Sequence, residues 1–162
     1  MIILIDGFNL IYKFVDLEEL MYMNRLPDAR KGLLDKLKEY KDLTKSRITV
    51  VFDGKKDISL DLRNEKVRGI DVYYSLEYSA DFLIKQFVKK DLNPKMITVV
   101  SSDKDIIDYV SRFKAKTKTS EEFSKHLTET IENSKKSAEP EKETDPVVSE
   151  EEVLYWEKQF NK

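Results

Sequence analysis

The chain contains no cysteine and a single histidine, His126. The missing thiols exclude a disulfide framework, a disulfide-linked partner, a thiolate nucleophile and a thiolate metal site. With one imidazole and no sulfur ligand, a zinc centre is not expected either. Apolar runs fall far short of the roughly 20 residues needed to cross a bilayer, so no membrane partner is expected. The N-terminus passes from Met1 through Ile2-Ile3-Leu4-Ile5 to Asp6 with no basic leader and no small-residue cleavage site. It reads as a strand rather than a signal peptide, and together with the absent thiols it points to a reducing cytoplasm. Neither a G-x-G-x-x-G fingerprint nor a phosphate-loop lysine motif is present.

A strong charge of one sign is also missing. The net charge is −2, but residues 133–162 hold five Lys against eight acidic residues, which leaves the body at +1. A near-neutral body can still present a basic face, so global charge decides nothing about nucleic acid. With 162 residues, 40% of them apolar and 37% charged, the chain is long enough for one domain with a proper core and a surface of solvated Lys and Glu.

Strand and helix patterns alternate. Ile2–Ile5 is a short apolar run of the kind buried on both faces of a sheet. From Pro27 to Lys45, Leu33, Leu34, Leu37, Tyr40 and Leu43 recur at helical spacing. Arg47–Phe52 is β-branched and runs into Asp53-Gly54, and Ile70–Tyr74 and Met96–Val100 read as further strands. Ser79 is placed to cap a helix through Phe82, Leu83, Phe87 and Val88. Asp103–Phe113 reads as a helix and Lys114–Thr117 as a short last strand. Thr119-x-x-Glu122 has the form of a capping box before Phe123, Leu127 and Ile131. This alternation predicts a three-layer α/β domain with a mostly parallel central sheet over residues 1–132. Residues 133–149, rich in Lys, Glu, Ser and Pro, read as a flexible linker. Residues 150–162, with Val153, Trp156 and Phe160 at helical spacing, read as a short amphipathic C-terminal helix.

The candidate chemistry lies where the strands end. Asp6, Asp53 and Asp103 each follow a strand, and in an open parallel sheet ligands bind outside the carboxyl ends of the strands. Asp81 opens the helix after the Tyr73 strand and should reach the same edge, and Asp105 is placed to join them. Converging carboxylates repel one another unless a cation fills the space between them, and hard oxygen ligands suit Mg²⁺ or Mn²⁺, one ion or two. Any single aspartate after a strand is as readily an N-cap or turn former; three of the three best strands ending so argues for chemistry. Asp57, Asp61, Asp71 and Asp108 read as surface residues, and His126 as inert. Tyr73, Tyr74 and Tyr78 suit base stacking and core packing equally well.

Ile3-Leu-Ile-Asp-Gly-Phe-Asn-Leu-Ile11 resembles the opening D-G-Y-N motif of the YacP-like NYN domains, a branch of the PIN-like nucleases. In order along the chain, Val50-Val-Phe-Asp53 resembles the second motif, Ser79-Ala-Asp81 the T-A-D motif, and Val100-Ser-Ser-Asp103 the T-S-D motif. Ser149–Glu157 is similar to the family's C-terminal helix. The resemblance implies a PIN-like fold and a metal-dependent endoribonuclease. Asp6, Asp53, Asp81 and Asp103 then form the acidic centre, Asn9 and Ser102 shape the pocket, and messenger or ribosome-associated RNA is the substrate. The chain departs from the pattern where the family carries acids after the T-A-D motif: Phe82 and Lys85 stand there, which leaves the number of ions open. Lys55, Lys56, Arg63, Lys66, Arg68, Lys85 and Lys104 are candidate contacts to the RNA backbone. A second reading is an RNA-binding adaptor of the same fold with weak or lost nuclease activity. A phosphatase of the haloacid-dehalogenase pattern is disfavoured, because Phe8 stands where its second aspartate belongs.

Overall fold

The structure, a computed structural model, describes residues 1–54 and 64–144, with side chains through Lys136. Six strands form one sheet: β1 (Ile2–Asp6), β2 (Arg47–Asp53), β3 (Asn64–Val67), β4 (Ile70–Ser75), β5 (Ile97–Val100) and β6 (Lys116–Lys118). Their order is β3-β4-β2-β1-β5-β6, and every neighbouring pair is parallel except β3 with β4. The helices are α1 (Gly7–Ile11), α2 (Val15–Tyr22), α3 (Leu26–Thr44), α4 (Ala80–Lys90), α5 (Lys104–Ser111) and α6 (Ser120–Thr144).

Alternation along the strands sends side chains into two separate cores. Ile3, Ile5, Ile48, Val50, Phe52, Val72 and Tyr74 pack on one face against Phe8, Leu33, Leu37, Tyr40, Phe123 and Leu127, under α1, α2, α3 and α6. On the other face, Leu4, Val51, Ile97 and Val99 pack against Ile84, Val88, Ile106 and Val110 of α4 and α5. The result is the three-layer α/β architecture with a mostly parallel sheet. Its central strands, β1, β2 and β5, read as near-continuous hydrophobic runs because they are covered on both sides.

The helix boundaries have local causes. Ser79 caps α4, its hydroxyl accepting the Phe82 N–H at 3.3 Å. Thr119 and Glu122 form the capping box at the start of α6: the Thr119 N–H donates to Glu122 Oε1 at 3.0 Å, and the Glu122 N–H to Thr119 Oγ1 at 3.1 Å. His126 bonds through Nε2 to the Tyr40 hydroxyl at 3.0 Å and lies edge-on to that ring, so it joins α6 to α3.

Four features differ from the sequence expectations. Helices α1 and α2 lie in a segment the periodicity does not mark, because α1 has only five residues and α2 fully buries a single side chain, Leu17. β3 turns back on β4 through Arg68-Gly69, both at positive φ, 52° and 83°, the backbone of a tight hairpin turn. A short 3-10 turn at Pro94–Met96 shortens the strand expected at Met96–Val100 by one residue. Finally, the linker expected from Asn133 is corrected over residues 133–144, which continue α6 as helix. Lys and Glu are good helix formers, and the anchored turns holding Phe123, Leu127 and Ile131 let the helix propagate past its last apolar contact. The rest of the expected linker and the expected C-terminal helix lie outside the described residues.

Candidate active site

All the parallel strands end at one edge, and the acidic residues collect there. Asp6 is the last residue of β1 and Asp53 the last of β2, and both are half-buried. Asp103 follows β5 as the N-cap of α5, its Oδ1 accepting the Asp105 N–H at 2.9 Å. Asp81 and Asp105 stand in the first turns of α4 and α5. The capping reading of Asp103 is therefore correct as far as one of its oxygens goes. It also stands in an acidic set.

Buried Ser101 ties two of these acids together. Its hydroxyl donates to Asp6 Oδ2 at 3.1 Å and accepts the Asp103 N–H at 3.1 Å. Asp6 and Ser101 are 95 residues apart in sequence, so the sheet and not local geometry brings them together. Asp53 is linked to the end of β4 by the Ser75 hydroxyl at 3.4 Å. On the other flank, Asp81 accepts from Ser79, and Lys85 places its ammonium 2.5 Å from Asp105 Oδ2 and 3.8 Å from Asp81 Oδ2. The hydrogen bond to Asp105, with the charges of Asp105, Asp81 and Asp103, raises the pKa of Lys85.

Asn9 organises a second polar group. Its side-chain carbonyl accepts the Ser102 N–H at 2.9 Å and the Ser120 hydroxyl at 2.5 Å, joining α1, the β5–α5 turn and α6. The Ser102 hydroxyl in turn donates to Glu121 at 2.9 Å and accepts the Ser120 N–H at 3.0 Å. Lys13 pairs with Glu121 at 2.6 Å; its hydrogen bond and that from Ser102 hold the Glu121 carboxyl down at about 2. Ser101, Ser120, Glu121 and Lys13 are absent from the sequence-based set. The capping box before Phe123 marks the helix N-terminus that carries Ser120 and Glu121, and Ser101 falls within the Val100–Asp103 motif, whereas nothing in the sequence marks Lys13.

The basic candidates divide. Lys104 is exposed in the first turn of α5 beside Asp103, at the acidic edge. Lys85 is at that edge but paired, as above. Lys66 and Arg68 are corrected: the β3–β4 hairpin carries them to the opposite, amino-terminal end of β4, where they pair with Asp71 at 3.6 Å and with Asp35. Lys55, Lys56 and Arg63 lie outside the described residues.

Of the three tyrosines, two are structural. Tyr74 is buried, stacks on Phe52 and donates to Glu65 at 3.1 Å; burial, then the Glu65 charge, pushes its pKa up to about 12. Tyr73 packs edge-on to Phe87. Tyr78 is exposed and stacks on exposed Phe82 at 4.7 Å, beside a pocket of about 320 Å³ that Ser75, Leu76 and Leu83 also line.

The donors at this edge are carboxylate and hydroxyl oxygens, the chemistry of a hard divalent ion. Among the described residues, no three acidic or histidine side chains form a ready-made cage. Mg²⁺ is commonly held by one or two carboxylates with waters and substrate phosphate completing the shell, and the Asp6–Ser101–Asp103 arrangement fits that mode. No helix among the described residues is long and apolar enough to cross a membrane.

The family model described as the YacP-like NYN domain matches residues 3–161. The crystal structure of Rae1 (YacP) from Bacillus subtilis is 25% identical, with a TM-score of 0.70 over 99% of this chain and 94% of that one. A tryptophan-to-leucine variant of the same protein gives 27% identity and a TM-score of 0.65 over 82% of this chain and 77% of that one. No curated protein matches the chain in sequence. Strand order, the acidic carboxyl edge and a match over nearly the whole length agree: the chain belongs to the YacP-like NYN domain family and has the PIN-like fold of an RNase-type hydrolase.

Proposed function

We propose that the protein is a metal-dependent endoribonuclease that cleaves single-stranded RNA by in-line attack of water on the phosphodiester. The observation that carries this reading is the Asp6–Ser101–Asp103 connection, which unites the ends of β1 and β5 at the carboxyl edge of the sheet. In this reading Asp6 and Asp103 hold the ion, with Asp53, Asp81 and Asp105 around them. Mg²⁺ or Mn²⁺ bound there supplies a water of lowered pKa and neutralises charge developing on the phosphate. Ser101 fixes the spacing of Asp6 and Asp103. Asn9 fixes the backbone at Ser102, so that the turn carrying Asp103 keeps its place when substrate enters. Lys104 contacts the RNA backbone, and the exposed Tyr78–Phe82 pair stacks a base beside the pocket, a contact that tolerates any sequence. The substrate proposed from the family resemblance is messenger or ribosome-associated RNA in the cytoplasm.

The test is incubation of the purified full chain with cellular RNA and Mn²⁺ or Mg²⁺, with and without chelator, followed by mapping of new 5′ ends. Discrete new ends that vanish in chelator are expected. RNA retained by the protein but left intact in metal would instead identify a binding adaptor of the same fold.

A further inference from the structure

Lys85 stands out at the acidic edge because its charge is already committed. It projects from α4 toward α5 with 18% of its side chain exposed, unusually little for a lysine at a substrate-facing edge. Its ammonium lies 2.5 Å from Asp105 and 3.8 Å from Asp81, and 5.4 Å from the centre of the Tyr109 ring. Asp81 is its neighbour one turn back on α4, whereas Asp105 is 20 residues on, in a different helix. The side chain therefore bridges the first turns of α4 and α5, the two helices that bring Asp81 and Asp105 to the edge. A flexible lysine held by two carboxylates and a ring is a positioned cation. Its compact ammonium is a point charge of the kind that can stand between carboxylates as a metal ion does.

We propose that Lys85 takes the place of a second divalent ion: its ammonium holds Asp81 and Asp105, and the centre takes up a single Mg²⁺ or Mn²⁺ through Asp6 and Asp103. The inference rests on the metal-dependent reading above and deepens it. Lys85 is thus a positioning residue whose role concerns metal number.

The test is calorimetric titration of Mn²⁺ into the full chain, as wild type and as Lys85→Glu, which replaces the ammonium with a third carboxylate beside Asp81 and Asp105. Wild type is expected to bind one Mn²⁺ and Lys85→Glu two, with the added ion bound at least about tenfold more tightly than any second ion on wild type. Should Lys85→Glu fail to fold, Lys85→Gln decides: Mn²⁺ should then raise its melting temperature by more than it raises that of wild type. Two Mn²⁺ on wild type, or one on wild type and one on Lys85→Glu alike, would overturn the proposal, as would an equal Mn²⁺-induced shift in Lys85→Gln. The two readings fail separately. No Mn²⁺ on wild type but one on Lys85→Glu removes the metal-dependent nuclease and keeps Lys85 as the resident cation. No Mn²⁺ on either removes both.

Discussion

Replacing Gly7 by alanine tests why a glycine follows the first aspartate. A Cβ at Gly7 would fall 2.4 and 2.5 Å from two ring carbons of Phe52 and 3.0 Å from a methyl of Val50. Carbon atoms in contact sit about 3.5–4.0 Å apart, so the ring must give by about 1 Å. It has little room to do so. Phe52 is fully buried, edge-on to Phe8 at 5.2 Å and stacked on Tyr74 at 6.1 Å. Overpacking of this kind costs about 1–3 kcal/mol, and disturbing the aromatic pairs adds about 0.5–1.5 kcal/mol. Gly7 opens α1, where alanine's better helix propensity returns up to about 1 kcal/mol. The net expectation is a loss of about 1–3 kcal/mol, or roughly 2–10 °C in melting temperature. Urea unfolding followed by circular dichroism should show a lower midpoint with an unchanged slope. Gly32→Ala is the comparison: its Cβ would fall 2.4 Å from one methyl of buried Leu17 and otherwise meet only that residue's branch carbon at 3.8 Å. A single methyl rather than a ring must then give, so the loss should be smaller than for Gly7→Ala. Phe52→Leu should cost less in the Gly7→Ala background than in wild type, since the two changes share one contact. If Gly7→Ala unfolds at the wild-type urea concentration, α1 does not approach β2 as closely as described, and the placement of Asp6 and Asn9 falls with it.

Other perturbations address the rest of the site. Asn9→Ala removes the acceptor for the Ser102 N–H and the buried Ser120 hydroxyl, and should cost about 2–4 kcal/mol in denaturant unfolding; Asn9→Asp keeps an acceptor and should cost less. Tyr74, pushed up to about 12, favours the folded state as a neutral phenol, so its contribution of roughly 2–3 kcal/mol is complete below pH 10 and is lost as pH rises toward 12. Tyr74→Phe should therefore flatten the fall of stability over that window, and an unchanged slope would place the cause elsewhere. Tyr78→Ala should weaken RNA binding by about 1–3 kcal/mol, read as a raised KM with kcat kept, whereas an unchanged KM would take the Tyr78–Phe82 pair off the RNA path.

Much of this architecture is legible in the sequence because its strongest signals are local. The β-branched runs at Arg47–Asp53 and Ile97–Val100 could be read directly, as could the Ser79 cap and the Thr119–Glu122 box. The strand-end aspartates were legible for the same reason: position along a strand fixes which edge a residue reaches. What escaped depends on distance in sequence. Ser101 and Lys85 gain their meaning from Asp6 and Asp105, partners on other elements that spacing cannot supply. Lys66 and Arg68 sit in a basic stretch, but a two-residue hairpin sends them to the far end of the sheet. The Lys- and Glu-rich start of the expected linker has the composition of a disordered segment, yet it extends a helix already anchored by Phe123 and Leu127.

The most direct test of the central claim is single-turnover cleavage of an end-labelled single-stranded RNA in Mn²⁺ by wild type, Asp6→Asn, Asp103→Asn and Asp108→Asn. Asparagine caps a helix about as well as aspartate, so Asp103→Asn keeps α5 in place while removing the charge that holds a hard cation. Asp108 is exposed on α5 beyond its first turn and serves as the charge-matched control. The account predicts that Asp6→Asn and Asp103→Asn each slow cleavage by at least about 100-fold, that Asp108→Asn cleaves at the wild-type rate, and that chelator abolishes cleavage throughout. Wild-type rates from Asp6→Asn and Asp103→Asn, or cleavage undiminished in chelator, would contradict it.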